Sequence, residues 1–197
     1  MTLGVLVSGR GSNLEAILGA GLPVSIVISN RPGVRALEIA AAHAVPTRVC
    51  RRSGFPDADA RDRAIGQALT DAGVELAVLA GYDQLLRTAY FGAFEGRTIN
   101  IHPSLLPAHG GRGMVGMAVH RSVLAAGEPV TGVTIHEVTP QLDAGAILAQ
   151  VRVPVAPGED AEGLAARVLE AEHRLLVATL KELLPTVAPS AARHDAC

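Results

Sequence analysis

Tryptophan is absent from this chain of 197 residues, and aromatic residues make up only 3% of it. A core without large rings must be assembled from Ala, Val, Leu and Ile, so its layers are expected to pack closely. Hydrophobic residues still reach 49% while charged ones stay at 18%, which excludes wholesale disorder and allows one substantial domain. Cysteine is nearly missing too. Cys50 and Cys197 have no CxxC partner, so no disulfide framework is expected, and Cys50 reads as a small apolar residue. Neither sign of charge is in excess, with 17 basic residues against 19 acidic ones and a net of −2. That balance argues against nucleic acid or a membrane surface as a partner. No apolar run approaches a bilayer span, and the stretch Val74–Gly81 is broken by Glu75. Met1–Ser8 carries no basic residue ahead of its apolar stretch, so it reads as a strand and not as a signal peptide. A cytoplasmic location is expected.

What is present alternates. Apolar, β-branched runs at Leu3–Ser8, Pro23–Ser29, Pro46–Cys50, Glu75–Ala80 and Arg97–Ile101 read as strands. Between them lie helical stretches at Asn13–Leu18, Val34–His43 and Asp57–Ala72. This rhythm predicts an α/β fold, a Rossmann-like open, mostly parallel sheet with helices on both faces. The texture then changes. His102–Gly116 is dense in Pro and Gly and reads as a long loop, followed by a helix over Val115–Ala126. Thr131–Val138 and Ala146–Val153 read as late antiparallel strands, and Glu162–Leu184 as one long helix ended by Pro185. One domain over residues 1–185 is expected, with a loose tail over 186–197.

Three segments carry chemistry. Ser8-Gly9-Arg10-Gly11-Ser12-Asn13-Leu14 joins the first strand to the first helix. Its glycines bring backbone N–H groups and the helix N-terminus towards an anion, and Ser12 or Asn13 could cap the helix. As a dinucleotide fingerprint it fails, because Leu14 replaces the third glycine and no acidic residue ends the second strand; a single phosphate fits better. Asn100-Ile101-His102-Pro103 ends the fifth strand. Asn100 and His102 lie two apart and point the same way, an amide donor beside an imidazole suited to a developing oxyanion. Leu142-Asp143-Ala144-Gly145 offers a carboxylate that could orient that imidazole and favour its charged form.

Together these segments resemble the phosphoribosylglycinamide formyltransferase family, over about Leu3 to Leu184. SGRGSNL points to a ribonucleotide substrate, whereas NIHPSLLP is shared with other formyltetrahydrofolate-using enzymes. The resemblance implies that Asn100, His102 and Asp143 are catalytic and that Gly11, Ser12 and Asn13 bind the substrate phosphate. It implies that Glu172 touches the amine substrate, and that Asp83, Gln84, Leu85 and Leu86 line a folate pocket with Asn100, Thr139, Pro140, Gln141 and Leu142. It implies 10-formyltetrahydrofolate as co-substrate, glycinamide ribonucleotide as the acceptor, and no metal. The family often has Met-Arg where this chain has Asp83-Gln84. An Arg that meets the folate's glutamate tail in some members is replaced here by Ala58, with Arg61 one helical turn away as its substitute. His109–Gly116 is longer than in many members and reads as a mobile lid, with a second anion loop as the alternative.

Other readings stay open. A formyltetrahydrofolate hydrolase would use the same three residues with water as acceptor, but usually carries an N-terminal regulatory domain for which there is no room before Leu3. Relatives that formylate transfer RNA carry a further C-terminal domain. An NADP-binding reductase would use Arg31 but leave Asn100, His102 and Asp143 idle, and a non-catalytic binding module would leave the same three unused. Alternation places His136 on the pocket face, and a metal set of His102, His136 and Asp143 is a further alternative whose spacing is not diagnostic. His43, His109, His120 and His194 read as surface or cap residues. The oligomeric state is open, a homodimer included.

Overall fold

The structure, a computed structural model, describes residues 1–184. The expected tail over 186–197, with His194 and Cys197, and the helix-ending Pro185 lie outside the described residues. Strands β1 (Leu3–Val7), β2 (Val24–Ser29), β3 (Thr47–Val49), β4 (Leu76–Leu79) and β5 (Arg97–His102) pair in parallel. Antiparallel β6 (Val130–Glu137) and β7 (Ile147–Pro154) extend the sheet beyond β5. The strand order is β3-β2-β1-β4-β5-β6-β7. Helices α1 (Ser12–Gly19), α2 (Arg35–Ala42), α3 (Ala58–Asp71), α4 (Thr88–Phe91), α5 (Met117–Ala125) and α6 (Ala161–Leu183) cover it. This is the α/β, Rossmann-like architecture that the alternation of runs predicts.

Burial on both faces explains why the early strands are unbroken apolar runs. Leu3, Val5, Val7, Leu76 and Val78 join a cluster with Leu14 and Ile17 of α1 and Leu164 and Val168 of α6. Leu6, Ala77 and Leu79 turn to the other face and join Ile65 and Leu69 of α3 and Tyr90 of α4. Gly4 takes the remaining position on that face. A Cβ there would lie 2.4 Å from Leu69 Cδ2, so the bare residue lets α3 close onto the sheet.

The long helix α6 starts at Asp160, whose side chain accepts the Gly163 N–H at 2.8 Å. Its buried face runs Leu164, Val168, Ala171, Glu172, Leu176, Thr179 and Leu180, spaced by three and four residues, and packs on α1, α5, β6 and β7. Glu172 is the one charged residue on that face.

Two short elements have no counterpart in the sequence pattern: α4 and a single 3-10 turn at Arg52–Gly54. Four residues show no periodicity, and so short a helix forms only because tertiary contacts hold it. Tyr90 supplies them for α4. It is fully buried, and its hydroxyl is 2.8 Å from Thr98 Oγ1 on β5. Between β1 and β4 the order of the parallel strands reverses, with α1 and α3 on opposite faces, and a crevice opens beyond their carboxyl ends.

Candidate active site

A cavity of about 1090 Å³ occupies that crevice. Of the residues singled out from sequence, Gly11, Ser12, Asn13, Asp83, Gln84, Leu85, Leu86, Asn100, His102, Thr139, Gln141, Leu142, Asp143 and Glu172 line it, and Pro140 does not. Segments as distant in sequence as the β1–α1 turn, the end of β5 and the middle of α6 are thus brought to one space.

The turn into α1 is built around Gly11, not around a capping side chain as expected. Gly11 is the N-cap, at φ 77° in the left-handed region, and no side chain caps the helix. A Cβ there would also lie 2.8 Å from the Ala36 backbone, so no other residue fits this approach. Neither Ser12 nor Asn13 serves as a cap, so the first N–H groups of α1 stay available to a ligand anion. Asn13 is instead committed to α6: its amide donates to Glu172 Oε2 at 2.8 Å, while its Oδ1 is buried without a partner. Burial pushes the Glu172 carboxyl up to about 7, against the opposing pull of the Asn13 bond and the Arg10 charge.

A pH dependence of stability follows. The folded carboxyl holds its proton more tightly than the unfolded one, so the folded state binds more protons between pH 4.5 and about 7, and stability falls as pH rises through that window. Glu172→Gln is expected to flatten this fall, a gain on the order of 3 kcal/mol at most at pH 8 for the ligand-free protein. Thermal unfolding of both proteins across pH checks it; parallel curves contradict it.

The second cluster sits where β5 meets β6. Asn100 lies directly opposite His136 and His102 opposite Thr134 in the antiparallel ladder, beside a register shift at Ile135/His136. The Asn100 amide nitrogen is 3.1 Å from His136 Nε2, and His136 Nδ1 is 2.9 Å from the Glu137 carbonyl. A carbonyl only accepts, so Nδ1 carries the proton and Nε2 accepts from Asn100. Burial keeps His136 neutral by lowering its pKa, so the 3.7 Å separation between His136 Nε2 and Asp143 Oδ1 is proximity and not an ion pair. His136 therefore orients the Asn100 amide, a role that sequence alternation reduced to lining.

Asp143 and His102 both face this cavity, but they are not paired with each other as expected. Asp143, at φ 51°, accepts the Gly111 N–H on Oδ2 at 2.7 Å, and the His102 Nε2 nitrogen is 3.0 Å from the His109 carbonyl. The loop between β5 and α5 thus lies against both groups. His120, read from sequence as a surface or cap residue, is 5% exposed, lines the cavity and has a buried Nδ1 without a partner. Burial, with His102 nearby, lowers its pKa. Its spacing from Val123 and Leu124 on α5 is the signal that could have placed it on the inward face. His43, by contrast, caps α2, its Nδ1 2.9 Å from the Ile39 carbonyl. Among the described residues no three His, Cys, Asp or Glu side chains group to hold a metal, and no helix is long and apolar enough to cross a membrane.

On the β4 side, Asp83 is an anchor. Its carboxylate accepts from Ser8 Oγ at 3.0 Å and Asn30 Nδ2 at 2.7 Å and pairs with the Arg31 guanidinium, tying the ends of β1, β2 and β4 together. Arg31 is therefore committed to Asp83 and not free for a nucleotide 2′-phosphate. Arg61 cannot meet a ligand tail either. It is buried and donates to Asp62, to the Gln84 side chain and to the Leu85 carbonyl. A second, smaller cavity of about 320 Å³ is lined by Arg52, Asp57, Ala58 and Arg87 among others.

A model of the formyl transferase family matches residues 1–180. The chain belongs to that family. It is 40% identical over 183 residues to the chicken trifunctional purine biosynthetic protein adenosine-3, covering 90% of this chain but 18% of that protein. To the phosphoribosylglycinamide formyltransferase of Haemophilus influenzae it is 35% identical, covering 91% of this chain and 85% of the relative. The solved phosphoribosylglycinamide formyltransferase of Bacillus halodurans superposes with a TM-score of 0.88 at 34% identity, over 95% of this chain and 97% of that one. Within the formyl transferase fold, the crevice at the strand reversal is thus where the NIHPSLLP and SGRGSNL segments meet.

Proposed function

We propose that this formyl transferase moves the formyl group of 10-formyltetrahydrofolate to the primary amine of 5′-phosphoribosylglycinamide, giving formylglycinamide ribonucleotide and tetrahydrofolate for purine biosynthesis. The observation that carries the reading is one cavity lined by two polar clusters of different chemistry. The uncapped α1 N-terminus with Gly11, Ser12 and Asn13 suits a phosphate. Glu172, with the unpartnered Asn13 Oδ1 beside it, offers acceptors to the amine side of the same substrate. Asn100, His102 and Asp143 suit acyl transfer. The folate supplies the formyl group. Its ring has apolar walls at Leu85, Leu86 and Leu142 with polar groups from Gln84, Thr139, Gln141 and the Asp83 stretch, and the cavity is large enough for two substrates. Arg52 and Arg87, the latter 3.6 Å from Asp59, are the cations that line the second cavity.

In the transfer the amine lone pair bonds to the formyl carbon, the bond from that carbon to folate nitrogen breaks, and one proton passes from the amine to the departing nitrogen. Asn100 Nδ2 has a second N–H beyond its bond to His136 and donates it to the developing oxyanion. His102 holds and returns the proton through its ring. Asp143 supplies negative charge beside them. Names of the relatives favour transfer over hydrolysis.

The test is incubation with 10-formyltetrahydrofolate, with and without the ribonucleotide amine, following tetrahydrofolate, formylated ribonucleotide and formate. Ribonucleotide-dependent formation of the first two in equal amounts is expected. Formate release at the same rate without the amine refutes transfer.

A further inference from the structure

The loop from β5 to α5 makes hydrogen bonds that formyl transfer by itself does not require. The His109 carbonyl, 3.0 Å from His102 Nε2, can only accept, so His102 carries a proton on Nε2. His109 stands at φ 54°, a left-handed conformation that a residue with a side chain keeps only where its surroundings fix it. They do so on both sides. The His109 ring is bonded to Ser122 on α5, with Nδ1 2.8 Å from its Oγ. One residue earlier, the Ala108 carbonyl accepts from Ser104 Oγ at 2.6 Å and the Ala108 N–H donates to the Leu105 carbonyl at 3.0 Å. Two residues later, the Gly111 N–H holds Asp143.

We propose that His109 is a positioning residue for His102: its carbonyl fixes the imidazole with Nε2 protonated, and its ring, tethered to Ser122, fixes the carbonyl. Nε2–H donates in the neutral and in the charged imidazole alike, so the clamp persists through both states and the mobile proton belongs to Nδ1. That is the nitrogen left to serve the substrate. Freed from the clamp, the ring can turn and present either nitrogen, and a misaligned proton donor loses rate without losing substrate affinity. The functional part of this proposal rests on His102 acting in the transfer; the part about the tautomer does not.

The experiment uses the full chain with ¹⁵N-labelled imidazoles at a pH where His102 is neutral, its signals identified by their loss in His102→Ala. Wild type is expected to show Nε2 protonated, with that proton sheltered from solvent exchange. Ser122→Ala and His109→Ala, which cut the tether, are expected to expose the proton to exchange and to lower kcat about tenfold to a hundredfold, with both KM values within about twofold. His109→Asn should restore most of both, because Asn tolerates the left-handed backbone and keeps a hydrogen-bonding group. A proton on Nδ1 in wild type overturns the proposal, as does folded Ser122→Ala with a sheltered Nε2 proton and unchanged kcat. If His109→Ala does not fold, Ser122→Ala decides alone. Native turnover in His102→Ala would instead end the catalytic reading of His102, leaving the tautomer result standing.

Discussion

His102→Ala is expected to lower formyl transfer by at least about a hundredfold, and Asp143→Ala by a similar factor. Among the described residues, the His102 imidazole lines the cavity tied to a backbone carbonyl through Nε2, with Nδ1 left for the substrate. A general acid–base group contributes about 10²–10⁴ in rate and an oxyanion donor about 10²–10³, so its loss should fall in that range. His136 and His120 cannot replace it. His136 holds the Asn100 amide through Nε2 and is kept neutral by burial, and His120 is likewise held below the ordinary imidazole pKa. Asp143 is expected to act by a different route from the one its spacing implies. Its Oδ2 accepts the Gly111 N–H, two residues from the carbonyl that holds His102, so removing it should loosen the loop and take away a carboxylate 3.7 Å from His136. Steady-state kinetics distinguish the two losses. His102→Ala should lower kcat with little change in KM, because an interaction made only in the transition state has gone; Asp143→Ala should also raise KM, since the turn carrying Leu142 and Gln141 lines the cavity. Near-native turnover in either variant removes the role assigned to it.

Much of the fold was legible in the sequence because burial writes itself as period and punctuation. The runs Leu3–Val7 and Leu76–Leu79 are apolar throughout since both faces are covered, and α6 shows its buried stripe at three- and four-residue spacing. α4 was not legible, because four residues carry no period and Tyr90 holds them by contacts with distant chain. Site membership was legible from motifs, since loops at strand ends in such a sheet share one crevice. The pairing within the site was not. Which imidazole Asp143 approaches depends on the cross-strand register that sets His136 opposite Asn100 and on a glycine-rich loop whose path no pattern encodes. Likewise Arg61 looked available to a ligand because its burial depends on Gln84 and Leu85 meeting it across more than twenty residues of intervening chain.

That buried pair carries the largest expected effect on stability. Asp62→Ala should destabilise the fold by about 3–5 kcal/mol, a fall in Tm of roughly 6–20 °C for a domain of this size. Asp62 is fully buried and Arg61 is 4% exposed. The Asp62 carboxylate accepts from Arg61 Nε at 2.8 Å and from its terminal nitrogen at 2.5 Å, and its second oxygen accepts the Arg87 N–H at 2.8 Å. The lost hydrogen bonds account for about 0.5–1.5 kcal/mol each at most; the larger part comes from a guanidinium left buried without its counter-charge. The double change Arg61→Leu with Asp62→Leu separates these terms. Removing both charges leaves no uncompensated ion, so most of the stability should return. The function should not return with it, because Arg61 also grips the Gln84 side chain and the Leu85 carbonyl, and Asp62 the Arg87 amide, along the wall of the cavity. A raised KM for the folate in a stable double variant is the expected signature, read by thermal unfolding and by steady-state titration. A double variant as unstable as Asp62→Ala would mean that the packing of this loop, and not the stranded charge, is what the single substitution disturbs.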